Sequence, residues 1–86
     1  MGAGMNAAAK TARVPLSFLL PGARASVDTL DAAIDSHQRE QLVAYGLAPD
    51  RLVVVLQQRP MTIVMIDEVE LALEDSVARH VWVKRK

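Results

Sequence analysis

The side chains suited to metal or acid–base chemistry are His37, His80, Asp35, Asp67, Glu68, Glu70, Glu74 and Asp75. Imidazole would serve a transition metal and carboxylate oxygens a harder cation. The spacing argues against either. The two histidines are far apart in the chain, and the carboxylates fall in expected turns or on the wet side of an alternating segment. A hard-oxygen site from Asp67, Glu68 and Glu70 would be weak, so weak divalent-metal binding is the most these residues promise and no cofactor is expected. Ser17, Ser26, Ser36 and Ser76 lack a glycine-framed elbow and a neighbouring base, and no glycine-rich loop is present to cradle phosphate. No catalytic residue is assigned, and a binding protein rather than an enzyme is expected.

Composition narrows the partners. Ten basic and ten acidic side chains give a formal net charge of zero, which disfavours nucleic acid and anionic membranes. The chain has no cysteine, which excludes disulfides and thiolate metal sites and suits a reducing, cytoplasmic setting. No apolar run approaches the roughly 20 residues that span a bilayer, so membrane insertion is not expected. Met1–Arg13 lacks the apolar core of a signal peptide and is expected to be a flexible tail, with residues 14–86 as the one domain.

The elements that would position these residues centre on one helix and its stop. Asp35 with Gln38 resembles a capping box, with Ser36 the alternative cap. Gly46 suits a left-handed helix end, Leu47 would fold back on Leu42, and Pro49-Asp50 turns the chain into a strand. Strands are expected over Ala23–Leu30, Arg51–Gln58, Met61–Ile66, Val69–Glu74 and His80–Val83. In the fourth, Val69, Leu71 and Leu73 should point inward and Glu70 and Glu74 outward. Arg59-Pro60 breaks the second strand, Asp67-Glu68 makes a tight turn, and Glu74–Arg79 could make one helical turn. Val14–Leu20, closed by Pro21-Gly22, is expected to form one turn plugging the open end of the sheet. Five such strands describe a bent sheet closing on itself: a mainly-β, small five-stranded barrel with one short inserted helix.

Strands two and three are apolar on both faces, which a small barrel does not require. Val53, Val55, Met61, Ile63 and Met65 cannot all reach the interior, because side chains alternate across a strand. Either the helix and plug cover the excess, or it is an interaction surface for a partner or for a homodimer, with Gln57 and Arg59 as its polar rim. Tyr45 is expected to act as a lid on the barrel, and Trp82 to pack in the final strand.

Leu16–Gly22 with Pro21 and Gly22, the helix end with Leu42, Gly46 and Leu47, then Pro49, Val53, Val55, Pro60 and Leu71-Ala72-Leu73 resemble the ferrous iron transport protein A (FeoA) family over Leu16–Val83. The resemblance implies a Src-homology-3-like barrel. It also implies a small cytoplasmic accessory that binds the bacterial ferrous iron transporter FeoB, a membrane protein with a cytosolic GTPase domain. The alternative it implies is a metal-responsive regulatory module like the C-terminal domain of iron-dependent repressors. This chain departs from the family in having Asp50 and Glu68 where glycine is usual, and a shorter connection at Pro60.

Overall fold

The computed structural model describes residues 12–86. The expected tail therefore lies, up to Thr11, outside the described residues. Its last residue, Arg13, is tied to the sheet: the guanidinium is 2.9 Å from Asp28 and 5.5 Å above the Trp82 ring.

The alternating segments form six strands, β1 (Val14–Pro15), β2 (Arg24–Leu30), β3 (Leu52–Gln57), β4 (Thr62–Ile66), β5 (Val69–Leu73) and β6 (Val81–Arg85). They make one antiparallel sheet in the order β1-β6-β2-β3-β4-β5. This corrects the expected barrel twice. Val14 and Pro15 pair with Val83 and Trp82, adding a sixth strand where only a plug was expected. The sheet is also open, because β5 pairs with β4 alone and β1 with β6 alone. Pro15 has no N–H to extend the β1 ladder, and the chain passes straight into a 3₁₀ turn at Leu16–Phe18. Leu16 and Leu19, with Val77 and Ala78 from helix α2 (Asp75–Ala78), are buried in the core.

Helix α1 (Ser36–Ala44) starts as its sequence dictates, with the Asp35 carboxylate accepting from the N–H groups of His37 and Gln38 at 3.1 and 3.3 Å. It stops on Gly46 at φ +110°, where Leu47 N–H donates to Leu42 O at 2.9 Å and Gly46 N–H to Val43 O at 3.0 Å. Those two bonds satisfy carbonyls the helix leaves orphaned, and they bring Leu42 and Leu47 into the core together. Leu42 is the one buried residue of α1.

Both departures from glycine are absorbed by aspartate. Asp50 takes φ +72°, and in the β4–β5 turn Asp67, not Glu68, takes φ +56°. On β5 the expected inward set pairs with the core-facing Thr62, Val64 and Ile66: Leu73 is buried and Leu71 packs against the core, while Val69 beside the turn is 45% exposed.

Candidate interaction surface

The faces of β3 and β4 follow from their register, Val54 opposite Met65 and Val55 opposite Val64. Val53, Val55, Val64 and Ile66 are at most 1% exposed and form the core face. Leu52, Val54, Leu56, Ile63 and Met65 lie on the other side. Val53 and Val55 are thus removed from the expected contact set, since neither can meet a partner while the domain is folded. Ile63 and Met65 stay on the outer face, half-buried, and Met61 lies half-buried just before β4. Leu52 and Leu56 are 41% exposed, while Val54, Ile63 and Met65 are half-buried, so this face is left partly open to solvent.

At the end of β3 the outer face runs into a groove of about 490 Å³ between Ser17–Pro21 and Leu56–Arg59. One side chain holds its two walls together. Gln58 Nε2 donates to the carbonyls of Leu16 and Leu19 at 3.0 and 2.6 Å, and its Oε1 accepts from the buried Thr62 hydroxyl at 2.6 Å. Leu20 O accepts from Ala23 N–H at 3.0 Å around the Pro21-Gly22 turn, and Gly22 donates to Val55 O at 2.7 Å. With Leu16 and Leu19 pulled inward, Phe18 and Leu20 must point out, at 69% and 76% exposure. They are the most exposed large apolar side chains described. Arg59 gives the groove its cationic rim. The sequence signal for this was the run Phe18-Leu19-Leu20, three apolar neighbours that one turn cannot bury together.

The residues considered for metal chemistry are dispersed. Asp35 caps α1, His37 is exposed, and Glu68, Glu70 and Glu74 are exposed. Asp67 is paired with Arg51, and Asp75 with Arg79 at 2.6 Å, a hydrogen bond that holds the Asp75 carboxyl below its usual range. His80 Nδ1 lies 3.8 Å from Asp31 Oδ2, which also accepts from the Trp82 indole at 3.4 Å. Asp31 is held low first by the Ala33 N–H and then by that indole. Among the described residues no three His, Cys, Asp or Glu side chains gather into one cluster. Tyr45, expected as a lid, is 60% exposed because Gly46 turns the chain away behind it.

A model of the FeoA domain matches residues 14–85. The chain belongs to the FeoA family. Among solved structures, an iron uptake regulatory protein (FeoA) is 28% identical with a TM-score of 0.76, covering 87% of this chain and 99% of that one. The FeoA protein of Chlorobium tepidum is 25% identical with a TM-score of 0.77, over 84% of this chain and 70% of that one. IdeR of T. acidophilum shares the fold at 18% identity and a TM-score of 0.78, over 88% of this chain but only 35% of its own. No curated protein matches the sequence. Among the described residues no helix is long and apolar enough to cross a membrane.

Proposed function

We propose that this FeoA-family chain is a cytoplasmic accessory of ferrous iron transport, acting by non-covalent docking on the cytosolic GTPase region of a FeoB-type transporter. The match to the FeoA domain over residues 14–85 supports this reading, and the groove is the surface it would use. Phe18 and Leu20 are held outward by a braced turn, so a partner that buries them gains apolar area without first ordering the loop. Binding energy of this kind shifts the partner toward the conformation that presents the matching surface, with no covalent step.

Calorimetric titration of the whole chain against the purified cytosolic region of a FeoB-type transporter tests this reading. Saturable binding is expected, weakened at least about tenfold by Phe18→Ser or Leu20→Ser in variants that keep the native circular dichroism. Absence of binding by the wild-type chain in every nucleotide state of that region overturns it. The likeness to IdeR favours a second reading, a metal-responsive regulatory module. Titration with ferrous and manganous ions separates the two, because only the regulator requires tight binding.

A further inference from the structure

Across the outer face of the sheet, paired residues run from basic through apolar to acidic. Ser26 pairs with Lys84 on one side and Leu52 on the other. In the next row Arg24 pairs with Val54, Val54 with Met65, and Met65 with Glu70. Lys86 N–H donates to Arg24 O at 3.0 Å and extends that row on the basic side. Laterally paired residues share a face. Lys84, Lys86 and Arg24 therefore border Leu52, Val54 and Met65, with Glu70 at the far edge; Lys84 is already paired within the chain, its Nζ 3.5 Å from Asp28, which leaves Arg24 as the charge that matters here. Arg24 and Glu70 are exposed, and neither is in an ion pair among the described residues. Three strand spacings of about 4.8 Å separate their positions, too far for them to satisfy one another.

We propose that this face is the contact of an isologous homodimer, with a twofold axis between the two sheets and parallel to their strands. That operation reverses the strand order of the second copy. It sets Arg24 against the partner subunit's Glu70, Glu70 against the partner's Arg24, and Val54 against the partner's Met65. A row that is positive, apolar and negative is complementary to its own reversal, so a second copy of the chain fits this face. Zero net charge removes the overall repulsion two copies would otherwise feel. Two twisted sheets pack face to face nearly aligned, as this axis requires. The contact does not rest on the groove, which lies at the end of β3.

Sedimentation velocity of the full chain at low ionic strength should show a concentration-dependent dimer that weakens as salt is added. Arg24→Glu and Glu70→Arg should each weaken dimerisation at least about tenfold, because each reversal places like charges together at two symmetric contacts. The Arg24→Glu, Glu70→Arg double variant should restore it. A monomer at every attainable concentration overturns the proposal, as does a dimer indifferent to the single reversals or not rescued by the double one. Should a variant misfold, the wild-type chain still decides. The Met65 methyl resonance must shift with protein concentration, and a shift confined to residues off this face overturns the assignment.

Discussion

Gln58 Nε2 donates to Leu19 O at 2.6 Å across 39 residues of chain, and this bond fixes which apolar side chains of the N-terminal turn face out. Gln58→Ala would leave the carbonyls of Leu16 and Leu19 short of a donor and the buried Thr62 hydroxyl without its acceptor. A loss of about 1–3 kcal/mol is expected. Urea unfolding measures it, and faster amide exchange at Gly22, whose N–H bonds Val55 O, would show the groove wall loosening.

Gly46→Ala should cost about 1 kcal/mol or more. The position sits at φ +110°, and an added Cβ would approach Ile66 Cγ2 to 3.1 Å, so strain and crowding act in the same direction. A shifted denaturant midpoint with unchanged slope is the expected result.

What the sequence made legible was local. The Asp35 cap, the Gly46 stop and the positive φ at Asp50 each depend on residues within one turn, and each is where the types demanded. The membership of Val53 and Val55 was not legible, because a strand apolar on both faces carries no mark of which side is core. Their burial was settled by Val64 and Ile66 across the ladder and by Leu16 and Leu47 from remote segments. Whether the sheet closes was equally non-local. It depended on β5 finding β1, and the two edge strands do not pair. The groove needed Gln58 to reach back to Leu19, a link no periodicity announces.

The acid limb of stability should depend on Asp31. Its carboxyl is held below the ordinary 3.8, first by the Ala33 N–H and then by the Trp82 indole. Below that ordinary value the unfolded chain takes up a proton that the folded chain does not. The stabilisation is therefore complete above about pH 3.8 and lost as pH falls through the lowered value. Asp31→Asn should lower the urea midpoint at neutral pH and flatten its decline in acid. A residual decline should remain, because Asp28 and Asp75 are also held low, by Arg13 and Arg79 respectively. Trp82 is the single tryptophan and borders the site, so its emission follows the transition directly.

The two faces of the sheet can be told apart with one charge placed on each. Val53 is 0% exposed among aliphatic side chains, and Val53→Lys would bury an ammonium with no carboxylate beside it. That penalty, several kcal/mol, is comparable with the whole stability of a small domain, so loss of the folded state is expected. Met65 is on the outer face directly opposite Glu70, where a lysine would gain an opposite charge across the strand pair. At concentrations where the chain is monomeric, Met65→Lys should therefore stay folded, within about 0.5 kcal/mol of wild type. Circular dichroism with urea unfolding of both variants decides between the faces. The reverse outcome, a folded Val53→Lys and an unfolded Met65→Lys, would mean that the core lies on the methionine side and that Val53 and Val55 belong to the contact surface after all.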